Sequence, residues 1–290
     1  APMSERRQLV LPADPAILAG QAGLLRAQAL SRLKMALLVG VLIALAVFAF
    51  WRLDVSFWRI VKGFGDLGKF VVLMIPPNAG SWANALVYLH SLAETVAIAF
   101  LGTMLAALFA FPLGLLAARN VVPVRIFQFM TRRSLDTVRG IDTLIWALIW
   151  VNVVGLGPFA GVLAIMTSDI GTLGKLFSEA IEASDRKPVE GVTAAGGSRV
   201  HQVRFGLLPQ VMPVMLSQVL YFFESNTRSA TIIGIVGAGG IGLHLVEQIR
   251  TFEWDRVAFL ILLILAAVAA IDWLSAHLRH AIIGKSTVAV

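Results

Sequence analysis

The stretch FFESNTRSATIIGIVGAGGIG, residues 222–242, combines charged side chains with a run of glycines in an apolar part of the chain. Its last six residues, GAGGIG, fit the pattern G-x-G-x-x-G, which in a soluble enzyme indicates a dinucleotide-binding loop. Just upstream lie Glu224 and Arg228. Two interpretations therefore compete, a phosphate-binding loop and a helix break beside buried charge, and the rest of the chain must decide between them.

The composition indicates a membrane protein. The chain has 290 residues, of which 58% are hydrophobic and 14% are charged, and its mean hydropathy is +0.83. Soluble domains contain about 25% charged residues, so lipid is the expected solvent of this chain. Cysteine is absent, which excludes disulfides and cysteine-ligated zinc. The net charge of +7 does not indicate nucleic-acid binding, because the basic residues are spread between apolar segments.

Six apolar segments predict six transmembrane helices and an all-α fold. They cover approximately residues 35–51, 88–117, 138–154, 158–176, 207–235 and 257–278. A surface helix from about Pro15 to Leu33 is expected before the first of them. For that first segment a signal peptide is the alternative.

The distribution of lysine and arginine predicts the orientation. The segments expected to face the cytoplasm are 1–34, 118–139, 182–206 and 279–290, and those expected to face outward are 52–87 and 235–256. The first group holds 16 basic residues and the second holds 6. Because basic residues concentrate in cytoplasmic loops, both termini are predicted to be cytoplasmic.

Polar residues of the fifth predicted span form one helical stripe. They are Ser217, Tyr221, Glu224, Arg228 and Thr231, at spacings of 4, 3, 4 and 3. A charge at the centre of a membrane helix costs roughly 2.5–3.5 kcal/mol, so it should face a partner or a water-filled path.

Two interpretations of these charges stay open. Glu224 and Arg228 are four residues apart and can form an internal ion pair that stabilises the bundle. Alternatively, Arg228 lines an anion pathway and Glu224 holds it in place, with hydrogen-bonding groups from Ser225, Asn226 and Ser229 nearby.

The glycines that follow are predicted to end this helix, because each glycine costs roughly 1 kcal/mol relative to alanine in a helix interior. They lie at Gly234, Gly237, Gly239, Gly240 and Gly242. Non-helical backbone at membrane depth is tolerated where it is buried in protein or lines a cavity. A re-entrant loop or gate is therefore expected here. A dinucleotide site is not, because such a loop opens a βαβ unit and this one is flanked by apolar spans.

Other candidate residues are more isolated. Glu94 in the second span either lines the path or caps the start of its helix. Asp169 is expected near the middle of the fourth span, with Thr172 within reach. No H-E-x-x-H, metal-ligand cluster or nucleophile elbow is present, so neither a catalytic site nor a metal site is predicted.

The stretch KPVEGVTAAGGSRVHQVRFGLLPQVMP, residues 187–213, predicts a helical hairpin against the membrane. Pro188 can begin a short helix, Glu190 suits its first turn, and the pair Gly196-Gly197 can end it. The alternative is a simple connecting loop.

Within this stretch, Glu190, Gly196 six residues later and LLP at 207–209 resemble the EAA loop of ABC-importer permeases. The sequence departs from that pattern at Gly191, Val192 and Gly206. The resemblance implies a coupling loop that docks into a partner ATPase subunit. Its residues here would be Glu190, Ala194, Gly196, Arg199, Leu208 and Pro209.

More specifically, GLGPFAGVLAI, KLFSEAIEA, PVEG, LLPQVMP and FESNTRSATIIGIVGAGGIG resemble the phosphonate permease branch of these importers. The resemblance implies a type I (MetI-like) importer fold with a core of five helices plus an N-terminal helix. The corresponding segments are a cytoplasmic N-terminal segment 1–34, a first span 35–51, a periplasmic loop 52–87, a permease core 88–280 with its coupling loop 182–206, and a tail 281–290.

The same resemblance implies a non-enzymatic inner-membrane subunit that imports phosphonate, phosphite or a phosphate-like oxyanion. The implied partners are a second copy of the chain, two cytoplasmic ATPases that bind ATP and magnesium, and a periplasmic binding protein. The pathway is expected to involve Ser217, Tyr221, Glu224, Asn226, Arg228, Ser229, Thr231 and Glu94, and the gate or a close packing of spans to involve the five glycines. The alternatives are a permease for another small anion, an anion channel without an ATPase, and a membrane oxidoreductase that uses the glycine stretch.

Overall fold

The computed structural model describes residues 15–283 except positions 55 and 123, and no strand occurs in that part of the chain. It divides into two compact units, Ala1–Lys69 and Phe70–Val290. The helices, in chain order, are α1 Pro15–Arg52, α2 Phe57–Leu73, α3 Trp82–Ala117, α4 Arg125–Arg139, α5 Thr143–Val154, α6 Pro158–Glu182, α7 Lys187–Ala194, α8 Arg199–His201, α9 Leu208–Gly234, α10 Ile241–Arg250 and α11 Trp254–Ile283. A π-helical turn, Gln202–Leu207, joins α8 to α9.

The predicted surface helix and the first predicted span form one continuous helix, α1. Its portion Leu30–Arg52 is apolar and long enough to cross a bilayer. Its side chains from Leu30 onward are exposed, as expected for a helix surrounded by lipid. Residues 1–14, which are the part of the predicted cytoplasmic N-terminal segment before α1, and residues 284–290 of the predicted tail lie outside the described part of the chain.

The predicted loop 52–87 contains a helix, α2. Apolar residues recur with the helical period on one side of α2, and charged residues recur on the opposite side. On the charged side, Lys69 Nζ donates a hydrogen bond of 2.8 Å to Asp66 Oδ1. The acidic residues, Pro76, Pro77, Asn78 and Gly80 of this segment predict a loop, and the helical period of its apolar residues was missed.

The core of the second unit forms where α3, α6 and α9 pack together. Small residues let the helices approach closely. A Cβ atom on Gly102 would lie 2.8 Å from Ile165, and one on Gly114 would lie 2.8 Å from Phe177. The buried residues around these contacts are mostly alanine and larger aliphatic residues, and Phe177 is among the largest side chains of this cluster.

The third apolar segment is not one straight span beginning at residue 138, as predicted from its hydropathy. Helix α4 ends at Arg139, α5 begins at Thr143, and the two axes differ by 87°. The break has a local cause, because the Asp142 side chain accepts a hydrogen bond of 2.8 Å from the backbone N–H of Leu144 and so caps a new helix. At 12 residues, α5 is about 18 Å long.

Five helices are long and apolar enough to cross a membrane, and the bent pair α4–α5 gives a sixth crossing if it counts as one span. The described part of the chain is therefore an all-α membrane protein with five or six spans. Helix α9 ends at Gly234, where the glycine run predicts a break. Helices α7 and α8 lie between the spans α6 and α9, as predicted for the hairpin.

Candidate functional site

The charged stripe of α9 is completed by helix α11. Arg279 Nη1 donates a hydrogen bond of 2.9 Å to Glu224 Oε2. Arg228 lies farther from both of its carboxylate neighbours, at 3.9 Å from Glu224 Oε1 and 3.6 Å from Asp272 Oδ1. The ion pair within α9 therefore exists, but the closer partner of Glu224 is Arg279.

This arrangement leaves about half of the Arg228 side chain exposed. The side chain of Glu224 is 14% exposed and that of Arg228 is 47% exposed. Its distances to both carboxylates are longer than a hydrogen bond, although a guanidinium offers five N–H donors. Arg279 neutralises Glu224, whereas the carboxylate of Asp272 on α11 faces Arg228 at 3.6 Å.

Sequence reasoning missed Arg279 and Asp272. Arg279 was assigned to the segment after the last span, whereas α11 extends to Ile283. The signal that could have found them is the helical spacing of Asp272, Ser275 and Arg279, three and then four residues apart in an apolar helix.

The other members of the stripe have different environments. Tyr221 is 56% exposed, and Ser217 Oγ is buried without a hydrogen-bond partner in the described part of the chain. Thr231 Oγ1 donates to the carbonyl of Thr227 at 3.3 Å, and Ser229 Oγ donates to that of Ser225 at 3.5 Å. The hydroxyls of Thr231 and Ser229 are thus used within α9.

Asn226 lies away from Arg228, in the core. Its side-chain amide donates to Thr103 Oγ1 at 2.8 Å and to Asp169 Oδ2. Asn226 and Asp169 are both 5% exposed. This buried polar contact joins α3, α6 and α9, and Asn226 rather than Thr172 is the hydrogen-bond partner of Asp169. The structure therefore does not bring Asn226 together with the exposed stripe.

The glycine run forms a tight turn that packs against its own chain. Gly237 O accepts a hydrogen bond of 2.9 Å from Gly157 N, and Thr95 Oγ1 accepts one of 2.8 Å from Ile241 N. Gly240 has φ +76°, and a side chain there would run into Thr95.

The remaining close approaches of the run are also within the chain. A Cβ atom on Gly234 would lie 2.6 Å from the carbonyl oxygen of Gly239. A Cβ atom on Gly242 would meet the carbonyl oxygen of Thr231, and one on Gly237 would meet the Leu156 side chain. In these contacts the glycines serve packing inside one subunit. Because the run joins two helices and no strand precedes it, the βαβ context of a dinucleotide site is missing from the described chain.

Glu94 lies beside this turn. It is inside α3, whose start is capped instead by Ser81 Oγ, which accepts a hydrogen bond of 3.2 Å from Asn84 N. The helix-capping interpretation of Glu94 is therefore wrong. A Cβ on Gly239 would lie 2.9 Å from Glu94 Oε1, so this half-buried carboxylate borders the glycine turn.

The predicted hairpin is present at the opposite end of α9. Helix α7 ends at Ala194, and Gly196 with φ +78° reverses the chain. Glu190, Ala194 and Arg199 are exposed. Leu208 and Pro209 begin α9, as predicted.

One contact joins the hairpin to α9, and another packs α7 against the π-helical turn. The Gln210 side chain both accepts from the backbone N–H of Asp185 at 3.1 Å and donates to its carbonyl at 3.2 Å. A Cβ on Gly206 would lie 2.9 Å from the Cα of Val189, so a larger residue at this position would push α7 away. This explains physically why glycine occupies the position where the EAA pattern has isoleucine.

Comparison with known proteins agrees with this architecture. Residues 110–284 match the family model described as binding-protein-dependent transport system inner membrane component. HtxC of Stutzerimonas stutzeri, by name a phosphite transport system permease protein, is 39% identical over 243 residues, which cover 84% of this chain and 85% of HtxC. PhnE of Mycolicibacterium smegmatis, named as a phosphate-import permease, is 37% identical over 85% of this chain and 46% of its own length.

Among solved structures, a chain of the MetNI methionine ABC transporter in inward-facing conformations superposes with a TM-score of 0.61 at 16% identity, covering 70% of this chain and 99% of that one. That likeness shows a shared fold. The family model covers more than half of the chain and HtxC aligns along most of it. The chain therefore belongs to the family of binding-protein-dependent transport system inner membrane components, the permease subunits of ABC importers.

Proposed function

We propose that this permease imports an oxyanion of phosphorus, phosphonate, phosphite or phosphate, in an ATP-driven transporter. The observation that carries the proposal is the similarity along most of the chain to HtxC, a phosphite permease by name. PhnE2 of Escherichia coli, a cryptic phosphonate transport permease by name, is 49% identical over 40% of this chain and 96% of its own length. Permeases named for phosphonate, phosphite and phosphate thus all align with this sequence, which is why the substrate class is proposed as a whole.

Arg228 is the proposed contact for the passing anion. It is about half exposed and is held loosely, at 3.6 and 3.9 Å, by two carboxylates. Conduction requires contacts that are favourable but weak enough to release the ion. Two nearby carboxylates limit the affinity of Arg228 for an anion, and its free N–H donors still favour entry.

The proposed assembly has two copies of this chain, two cytoplasmic ATPase subunits and a periplasmic binding protein. The exposed hairpin around Glu190, with its chain reversal at Gly196, suits a knob that fits a groove on an ATPase. ATP and magnesium would bind to that partner, and this chain would be a transport subunit without a catalytic site. Movement of the hairpin would reach the spans through the Gln210–Asp185 contact.

The proposed orientation puts the hairpin and both termini in the cytoplasm, and α2 and the glycine turn toward the periplasm. It is supported by the excess of lysine and arginine in the segments on the hairpin side. The glycine turn then closes the outer part of the pathway. Its gating role is proposed for Gly234, Gly237, Gly239, Gly240 and Gly242 together with the neighbouring Glu94.

The decisive experiment is uptake of labelled methylphosphonate by the complete transporter in liposomes with ATP inside. Unlabelled phosphonate, phosphite, phosphate and sulfate are added in turn as competitors. We expect at least one phosphorus oxyanion to compete strongly and sulfate to compete weakly. Competition by sulfate alone would assign another small anion, and currents through the chain in bilayers without partners would assign a channel.

A further inference from the structure

A second cationic region lies at the hairpin end of the bundle, between the end of α3, the start of α4 and α6. Two cavities adjoin there, of about 210 Å³ and 520 Å³, and both have Arg119 in their walls. We name them together the basic recess. Its cationic wall residues are Arg119, Arg125, Arg132, Arg133 and Lys175.

The carboxylates near the basic recess are already engaged. Glu182 Oε1 bonds Arg132 Nη2 at 2.7 Å and also accepts from the backbone N–H of Arg119 at 2.7 Å. Asp136 Oδ1 accepts from Lys175 at 3.1 Å. Five cations thus face two carboxylates, and the excess positive charge is concentrated around a cavity.

The side chains of Arg119 and Arg125 are the uncompensated members. Neither forms an ion pair or a side-chain hydrogen bond within the described residues, and both are exposed. The wall behind them is fixed, because Arg132 Nε also donates to the carbonyl of Ala117 at 3.0 Å. A positively charged loop that only sets membrane topology needs no such cavity, since its charges can be solvated separately.

The start of α4 adds an independent reason for an anion here. Arg125 is its first residue, the preceding Val124 makes no side-chain cap, and the first turn contains no acidic residue. Unbonded backbone N–H groups and the helix dipole make a cation unfavourable at this end and an anion favourable. An oxyanion in the cavity beside Arg125 would satisfy both the N–H groups and the guanidinium.

We propose that the basic recess binds a phosphoryl oxyanion, with Arg119 and Arg125 as its principal ligands. Guanidinium groups match the paired oxygens of a phosphate or phosphonate. The tetrahedral group can come from two sources, the headgroup of an anionic phospholipid or a free oxyanion that has crossed the membrane. The second source rests on the proposed function, and the first does not.

The test uses the full chain, purified with the subunits that co-purify and placed in nanodiscs. Wild type is compared with the double variant Arg119→Gln/Arg125→Gln and with the single variant Arg119→Gln. The matched control is Arg250→Gln, which changes an exposed arginine in the last turn of α10. One arm measures binding of radiolabelled inorganic phosphate in phosphatidylcholine nanodiscs by equilibrium dialysis. The other counts phosphatidylglycerol molecules retained by the protein, by native mass spectrometry.

We expect the double variant to bind at least one of these two probes about tenfold or more weakly than wild type. The affinity of the single variant should lie between those of wild type and the double variant, and the control should bind like wild type. Loss of phosphate binding identifies the free oxyanion as the ligand. Loss of phosphatidylglycerol alone identifies the lipid.

Equal binding of both probes by wild type and the variants, within about twofold, would overturn the proposal. Uptake by the wild-type transporter is measured separately. Its failure would remove the proposed function but would leave the lipid arm of this test valid. The single variant, which keeps Arg125 at the start of α4, keeps the test informative if the double variant does not assemble.

Discussion

Glu224 is bound more closely by Arg279, 55 residues along the chain, than by Arg228 on the next turn of its own helix. The distances are 2.9 Å and 3.9 Å. One carboxylate thus neutralises an arginine on α11 and lies beside a second arginine that remains half exposed. Arg279 therefore supplies the closer ion pair of Glu224, while Arg228 lies between Glu224 and Asp272 with about half of its side chain exposed.

Replacing Arg228 should stop transport without preventing assembly. Arg228→Ala removes the exposed cation and leaves the Glu224–Arg279 bond in place, so uptake of the phosphorus oxyanion should fall by about tenfold or more. Uptake per purified transporter in liposomes is the measurement. Arg250→Ala, an exposed arginine elsewhere, should retain uptake. Uptake at the wild-type rate by Arg228→Ala would show that Arg228 does not contact the substrate.

Replacing Arg279 should instead destabilise the protein. Arg279→Gln leaves the mostly buried Glu224 without its closest charged partner, and loss of a charged hydrogen bond costs on the order of 1–3 kcal/mol. Thermal unfolding in detergent should show a lower midpoint than wild type. The double variant Arg279→Gln/Glu224→Gln should recover part of the loss, because both charges are then absent. Equal midpoints for wild type and Arg279→Gln would show that the 2.9 Å contact is energetically unimportant.

Several elements of the fold could be predicted because their signals are local in the sequence. The end of α9 at Gly234 follows from glycine density, and α7 follows from Pro188 and Gly196 at its two ends. The bend between α4 and α5 was missed because hydropathy averages over it, although Asp142 marks the helix restart. Its signal was present but was weaker than that of the surrounding apolar residues.

The candidate site could be predicted only in part, because its partners are distant in the sequence. The stripe on α9 follows from helical periodicity within one segment. The contacts of Glu224 with Arg279 and of Asn226 with Asp169 depend instead on how helices pack. Periodicity shows which residues share a face of a helix, and it does not show which neighbouring helix that face meets.

A charge reversal on the hairpin should separate the permease from its proposed ATPase. Glu190→Lys changes an exposed residue in the first turn of α7, where a cation also opposes the helix dipole. We expect the ATPase to be lost in a pull-down with the permease. Glu247→Lys, an exposed reversal on α10, is the control and should keep the ATPase bound. Equal recovery of the ATPase with both variants would contradict a docking role for Glu190.

A methyl group in the glycine turn should be poorly tolerated. Gly240→Ala places a Cβ against Thr95 at a positive φ, so the free energy of unfolding should fall by about 1–3 kcal/mol. Gly40→Ala is the control, because Gly40 lies within α1 with nothing within 4 Å. The control should raise helix stability by about 0.5–1 kcal/mol. Equal unfolding temperatures for Gly240→Ala and wild type would show that the close contact of Gly240 with Thr95 does not stabilise the chain.

Helix α2 should lie in the membrane interface. Ile60, Phe64 and Val71 share its apolar side and are exposed, whereas Lys62 and Lys69 lie on the charged side. An amphipathic helix with basic residues opposite aromatic and aliphatic ones buries its apolar side about 5–10 Å into the boundary of headgroups and acyl chains.

Because this sequence contains no cysteine, single labels can test this position directly. A fluorescent label on Phe64→Cys should be quenched by doxyl groups on lipid acyl chains, and the same label on Lys62→Cys should be quenched far less. Both variants carry the label on the same helix in the full chain, so differences in insertion of the spans affect them equally. Equal, weak quenching at both positions would mean that protein, rather than lipid, covers the apolar side of α2.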